Sequence, residues 1–277
     1  MKNASSVVKA AGLLLFHLIP LALIWTGTTG RNWAAFGATY VLAMLTVAGG
    51  LHRYFSHRSF RTSRAFQFLM ALMAGCIFGD AVEFSAEHRW HHRHSDSERD
   101  FHSPKLGIWQ SWIGHIIDNP LTEEEMLRMT PDLACYPELV WLHRYWIVPG
   151  VVTAALFLTL GGYRMFACAY CLGILATLHG VSAVNYFCHT GRSCNFETRD
   201  RSSNSFILAV LIMGEGWHNN HHQYPSAARA GIKWYEIDMI YWLIKALSWI
   251  GVVWSVRDVP ESAKAALGKR SAEASLA

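Results

Sequence analysis

The strongest constraint in this chain is the spacing of its histidines. Gly214-Glu-Gly-Trp-His-Asn-Asn-His-His222 sets His218, His221 and His222 at i, i+3 and i+4, which on a helix is one face. His88-Arg-Trp-His-His92 repeats that spacing with His88, His91 and His92, and His52-Arg-Tyr-Phe-Ser-His57 adds His52 and His57 at i, i+5. Eight histidines therefore fall in three boxes separated by long apolar stretches. To serve one polar centre, the chain must fold back on itself twice.

The apolar stretches decide what kind of fold does this. Over 277 residues, 52% are hydrophobic and 16% charged, which fits either a large apolar core or a membrane protein. Residues 7–27 are interrupted only by Lys9, His17 and Pro20, and at ~1.5 Å per residue they cover a hydrocarbon core of ~30 Å. The run exceeds the apolar core of a secretory signal and reads as a retained anchor. A second span, 33–51, leads directly into the first box. Arg53, Arg58, Arg61 and Arg64 follow it, and under the positive-inside rule that end is cytoplasmic.

Residues 66–79 are too short an apolar run to span and read as an interfacial helix. Parity requires this, since a crossing there would separate the first two boxes. Residues 95–140 are polar and Pro-containing, an extramembrane insert with short helices. Segments 146–162 and 163–187 are a third and fourth span, joined tightly at Gly161-Gly162. The fourth ends in Asn185-Tyr-Phe-Cys-His189, an i, i+4 pair at the membrane surface where the histidine centre belongs, so Asn185 and His189 join the site. Arg192, Arg199 and Arg201 then agree with the orientation. Residues 234–254 contain Glu236, Asp238 and Lys245 among tryptophans and read as a second interfacial helix. Residues 1–260 are thus one domain, and 261–277 a disordered tail. The expected fold is an all-α integral membrane protein with four transmembrane helices and a cytoplasmic cap holding a dimetal site.

Lone histidines such as His17, His115, His143 and His179 are expected to be satisfied core residues. Clustering at span ends is different. Structural zinc takes four ligands and catalytic zinc three plus water, so nine imidazoles exceed one coordination sphere and call for two metals. Donor type leaves iron, copper, zinc and nickel open; two five- or six-coordinate irons with an oxygen-binding position fit the count best. Asp96, Glu215, Asp100 and Asp238, with Glu87, are candidates to fix the imidazoles through their other N–H. His94 and His102 lie near the second box but outside its spacing. Arg53, Arg58, Arg89 and Arg93 suit either a phosphate of the substrate or the topology signal. The scattered cysteines, including Cys168-Ala-Tyr-Cys171 inside an apolar run, read as packing residues. A net charge of +4 gives no sign of nucleic-acid binding.

Together, the boxes at 52–57, 88–92 and 214–222, with Ser95-Asp96, Asp100-Phe-His-Ser-Pro104 and Trp234-Tyr-Glu-Ile-Asp238, resemble the membrane fatty acyl desaturases, in the Δ9 acyl-CoA and acyl-lipid branch. The resemblance runs from the second span to about Val259. It implies nine histidines on two irons, with His189 as the ninth and Asn185 acting through water, and zinc able to replace iron on expression. It implies four spans with both termini cytoplasmic, and O2-dependent formation of a cis double bond in a long acyl-CoA or acyl-lipid chain. Animal members carry an aromatic residue three positions before the asparagine that helps shape the acyl tunnel; here that position is Ser182.

No dinucleotide fingerprint, iron–sulfur spacing or fused haem domain stands in the sequence. A ferredoxin, or cytochrome b5 with its reductase, is the expected electron donor. Two rival readings use the same histidines: a hydroxylase of the same superfamily, and a membrane metal transporter, which would place ionisable ligands within the spans rather than at their ends.

Overall fold

The computed structural model describes residues 4–77, 79–265 and 267. They are mostly helical. Three helical stretches among them are long and apolar enough to cross a membrane, Ser6–Thr26, Gly30–Ser56 and Ile147–Phe187. The first winds tighter at Ile19–Ala22, where Pro20 sits in the first 3₁₀ turn and its missing N–H costs nothing. The second is opened by Thr29, whose hydroxyl and backbone exchange hydrogen bonds with Asn32 in a reciprocal cap.

Ile147–Phe187 is a hairpin. Gly162 breaks it at φ 70°, and Tyr170 Oη donates to the Gly150 carbonyl at 3.0 Å. In a straight helix those two residues would lie ~30 Å apart. The rings of Phe157 and Tyr170, 5.2 Å between centroids, pack the two arms together. The arm returning from Gly162 runs beside the Gly30–Ser56 helix, and the approach is close enough that a Cβ on Gly173 would fall 2.9 Å from Thr39 Cγ2. Both helices end at the histidines.

The short apolar helix Arg64–Ile77 packs between the second stretch, where a Cβ on Gly50 would fall 3.8 Å from Met70 Cβ, and the opening of the hairpin. Near its start Gln67 accepts from Tyr54 Oη at 2.7 Å, and near its finish Gly75 packs on Pro149, at the opening of the hairpin. The chain then bends by 88° into Ala81–His94, which carries the second box.

Three regions differ from the sequence reading. The helix expected over 234–254 is only Met239–Trp249, ~16 Å long, because Asp238 caps it by accepting from Tyr241 N–H and Gly251 turns the chain at φ 76°. Beyond it, β2 (Val253–Trp254) pairs antiparallel with β1 (Arg61–Thr62), a two-stranded element that the all-α reading lacked. Of the expected tail, 261–265 is helical and Ala263 is buried with Ala227 and Val259; the rest, apart from Leu267, lies outside the described residues.

The main core lies under the boxes, where Met44, Leu51 and Phe55 meet Val82, Ile240 and Ile244. The polar insert is tied to this core by ion pairs. Arg89 grips Asp132 with two nitrogens, at 2.6 and 2.9 Å, and Arg58 adds a third bond at 2.6 Å. These pairs hold the Asp132 carboxyl at about 2 although burial works the other way.

Gly216 has no room for a side chain, since a Cβ would fall 2.2 Å from the Ala209 nitrogen, whereas Gly12 has nothing within 4 Å. Gly216→Ala should therefore cost about 3 kcal/mol or more and lower the thermal midpoint of the detergent-solubilised protein by several degrees, while Gly12→Ala leaves it in place.

Candidate metal centre

The first box owes its geometry to helix winding. Five residues along an α-helix are roughly 140° apart around the axis, so His52 and His57 would diverge. Leu45–Ser56 instead winds as a π-helix: Ser56 Oγ donates to Leu51 O at 2.8 Å and His57 N to His52 O at 3.2 Å. The i→i+5 bonds bring the two rings onto one side, 5.0 Å between centroids. Asp80 caps the helix of the second box by accepting from Val82 and Glu83 N–H, both at 2.9 Å.

The third box occupies a six-residue helix, His218–Gln223, which must be held from outside. Asn219 and Asn220, between the histidines, face away from them and are buried. Asn219 Oδ1 accepts from Asn195 and Phe196 N–H at 2.8 and 2.9 Å. Asn220 Nδ2 donates to Ala230 O and Glu236 Oε2 at 2.9 and 2.8 Å. The preceding Gly214 stands at φ 118°, a conformation that favours glycine.

These elements gather nine imidazoles into two groups. His52, His57, His88, His92 and His221 form one, and His91, His189, His218 and His222 the other; within each, the potential donor atoms lie within 4.8 Å of one another. In the first, Nε2 atoms run His52–His221–His92–His88–His57 at 3.0, 2.9, 3.0 and 2.8 Å. In the second, His189 and His222 each bring Nε2 to His218 Nε2, at 2.9 and 3.0 Å.

Carboxylates stand behind the rings. Asp96 meets His189 Nδ1 and Asp100 meets His91 Nδ1, both at 3.0 Å, and Glu215 faces His52 Nδ1. Asp200 meets His222 Nδ1 at 2.6 Å. An ionised carboxylate only accepts, so these Nδ1 atoms carry the protons and each Nε2 turns a lone pair inward. Burial, and then neighbouring imidazoles, hold His218, His221 and His222 well below the ordinary histidine value, so they are neutral. His189 and His222 both aim lone pairs at His218 Nε2, which carries one proton at most, so the group is self-repelling without a cation. Metal–imidazole bonds of ~2.1 Å meeting at about a right angle separate their nitrogens by ~3.0 Å, the spacing found here. The donor set fits two metal ions.

Asp238 needs correction, because it touches no imidazole. It pairs with Arg53 at 2.9 Å, and Arg53 binds Glu215 at 2.9 Å and the Ala228 carbonyl at 2.6 Å, so Asp238 acts on His52 only through two other side chains. Burial would raise the Glu215 carboxyl, but His52 and Arg53 bring it down to about 2. Arg53, Arg58 and Arg89 are taken by protein partners, which removes them as phosphate ligands, and Glu87 accepts from Asn119 rather than from a histidine. His94 bonds the Trp90 carbonyl at 3.1 Å; His102 lies tilted against His91, 4.2 Å between centroids, and shares a smaller cluster with His91 and Asp100, but neither residue belongs to the two groups. None of His17, His115, His143 and His179 joins them either. Asn185, half-buried one turn before His189, has no hydrogen-bond partner among the described residues. Asp200 and the two box asparagines are the residues the sequence reading missed. The asparagines were signalled by lying between the histidines; Asp200 had only its place in the polar run after His189.

Asp200→Ala should weaken metal retention by the four-histidine group about 10–100-fold, read by chelator competition, and leave the five-histidine group loaded. The buried neutral histidines also set a pH dependence for the metal-free protein. Their folded-state pKa lies below the unfolded value, so unfolded chains bind more protons, and stability falls as pH drops below about 6.5. Thermal unfolding of the chelated protein between about pH 7 and pH 5 should show that loss.

The chain matches the family model described as fatty acid desaturase over residues 31–253. It is similar to an sn-1 stearoyl-lipid 9-desaturase of Anabaena variabilis, 32% identical over 82% of this chain and 85% of that protein. It is likewise similar to a Delta-9 acyl-lipid desaturase of Arabidopsis thaliana, 31% identical over 93% of this chain and 84% of that one. An icosanoyl-CoA 5-desaturase of Limnanthes douglasii is 29% identical, over 98% and 77%. With the boxes converged as that chemistry requires, the chain belongs to the fatty acid desaturase family and is a fatty acyl desaturase.

Proposed function

We propose that this protein introduces a cis double bond, at the Δ9 position, into a long acyl chain carried on a lipid or CoA, using O2 and two irons held by the nine histidines. The observation that carries the reading is the sorting of all nine Nε2-bearing rings into a five-member and a four-member group. His52, His57, His88, His92 and His221 would hold one iron. His91, His189, His218 and His222 would hold the other, with Asn185 acting through water. Bound there, two irons supply the O2 activation needed to take hydrogen from an unactivated C–H bond.

The protein's own part is to hold and orient. Asp96, Asp100, Asp200 and Glu215 keep the Nδ1 protons outward, so that the inward nitrogens stay deprotonated and aligned. The apolar helices would keep a methylene pair beside the centre and water away from it. The Gly162 hairpin supports a count of four crossings, with Arg64–Ile77 and Met239–Trp249 at the interface. The arginines at the box-bearing ends support a cytoplasmic centre. The relatives' names include positions 9 and 5, and both lipid and CoA carriers, and the family's Δ9 lipid enzymes favour Δ9. Because both groups lie at helix ends, the arrangement suits catalysis better than a conduction path.

Expression in a host lacking this activity, followed by mass spectrometry of fatty acids with the bond position determined, tests the proposal: a Δ9 olefin supports it and a hydroxy acid sinks it. In the same assay His189→Ala should abolish product and metal retention in the four-histidine group. His179→Ala should retain both, since that ring lies in neither group. Asn185→Ala should lower activity with most metal kept.

A further inference from the structure

Removing two hydrogens from a methylene pair yields two electrons and two protons, whereas reducing O2 to two waters takes four of each. Two electrons and two protons must therefore come from outside the chain, and the electrons need a route to a buried centre. Electron tunnelling decays exponentially with distance, so the electrons must enter where a surface carrier can come close to the histidine groups.

One surface pocket, of about 600 Å³, has a member of the four-histidine group in its own wall: His189. Asp96 and Asp200, the carboxylates behind His189 and His222, line it as well. From the pocket wall a continuous path runs inward. The Arg201 backbone N–H donates to Asp96 Oδ2 at 2.7 Å, Asp96 meets His189 Nδ1 at 3.0 Å, and the His189 ring carries its Nε2 into the group. The other large depression, lined by Ala134, Trp141 and Arg144, touches neither group.

The rim selects the visitor by charge. Lys105, Arg192 and Arg201 are exposed around the pocket. Its acids Asp96 and Asp200 are turned onto imidazoles, which leaves Glu197 as the outward carboxylate of the lining. The segment 190–202 is polar and follows the fourth apolar stretch, so the mouth faces away from the hydrocarbon. A cationic rim over this route to the centre steers an anionic surface onto it.

We propose that this pocket is the docking site of an acidic one-electron carrier protein, which delivers two electrons in succession through His189. The proposal rests on the desaturase reading above. Both protons are drawn from solvent, and each delivery oxidises one carrier by one electron.

Two acidic probes serve as carrier, a plant-type [2Fe–2S] ferredoxin and the soluble haem domain of cytochrome b5, each compared with dithionite, which needs no docking. The doubly substituted Arg192→Glu, Arg201→Glu enzyme, altered only at exposed rim side chains, should lose at least about tenfold in the rate at which it oxidises a reduced carrier in the presence of substrate and O2. Its dithionite-driven turnover and KM for the acyl substrate should stay unchanged. Added salt should slow the wild-type carrier reaction and leave that of the variant flat. Arg31→Glu, roughly 30 Å away at the far end of the helix that carries His52, should behave as wild type.

Unaltered carrier oxidation in the double variant overturns the proposal, as does an equal loss with dithionite. A raised KM for the acyl substrate with carrier kinetics intact would give the pocket to a substrate phosphate instead. A second measurement needs no variant: carbodiimide coupling of the carrier's carboxylates to the wild-type enzyme should link Lys105, and linkage confined to other lysines refutes the site. Absence of olefin from the wild type with dithionite would fault the desaturase reading, while the coupling pattern still reports on docking.

Discussion

Everything in this structure answers to one electrostatic demand: eight imidazoles bring their Nε2 atoms to about 3 Å from one another, with His91 beside them in the four-member group. Left alone, such a cluster repels itself, and protonation would relieve one contact only by placing charge in a buried site. The fold removes that escape. Burial keeps the rings of the third box neutral, and carboxylates behind four of the nine rings direct their protons outward. The free energy of closing the cluster is therefore deferred to metal binding, and ordering of the three boxes is coupled to occupancy of the site.

The next layer outward keeps those carboxylates in place. Arg53 is almost completely buried, which is affordable only because Glu215, Asp238 and the Ala228 carbonyl surround its guanidinium. Removing one partner of a buried pair costs about 3–5 kcal/mol, because the other charge is stranded. This cluster joins the first box to the turn before the third and to the cap of the Met239–Trp249 helix. Arg58 and Arg89 do the same between the first two boxes and the insert through Asp132. Arginines that beside a membrane look like topology signals are, in three cases, the rivets of the metal centre.

That duality shows where sequence reading works and where it stops. Local spacing singled out the histidines of the two groups, six of them by the i, i+3, i+4 pattern that survives because their boxes are helical. The i, i+5 pair His52 and His57 was legible as a motif, but an α-helix would have splayed it, and nothing in 45–56 announces the π winding that rescues it. Asp200 was invisible because its partner is 22 residues away and the intervening chain is irregular. Asp238 was overread, since proximity to a motif in sequence does not say which side chain lies between. The shortened helix after it was misjudged for a related reason: the tryptophans of 234–254 mark an exposed apolar surface, and a surface can be continuous where a helix is not.

The histidines left out of the centre show how the same residue type is used when no metal is involved. Trp112 Nε1 can only donate, so His179 Nδ1 accepts its proton at 2.9 Å, and His179 must carry its own hydrogen on Nε2. That hydrogen goes to His17 Nε2 at 3.0 Å, while His17 Nδ1 donates to the Leu13 carbonyl at 2.7 Å. Every hydrogen-bonding ring nitrogen has one complementary partner, and both rings are satisfied while neutral. This clasp joins the Ser6–Thr26 helix, the insert and the returning arm of the Ile147–Phe187 hairpin. Ser182 Oγ, donating to the Trp112 carbonyl at 2.7 Å, fixes the same point from one turn further along. The first helix is largely exposed along its length, with Trp25 80% accessible, so such directional contacts hold it where apolar packing alone would not. In the clasp each lone pair faces a proton; in the two groups lone pairs face one another. That difference, rather than burial or residue type, separates a structural histidine here from a metal-binding one.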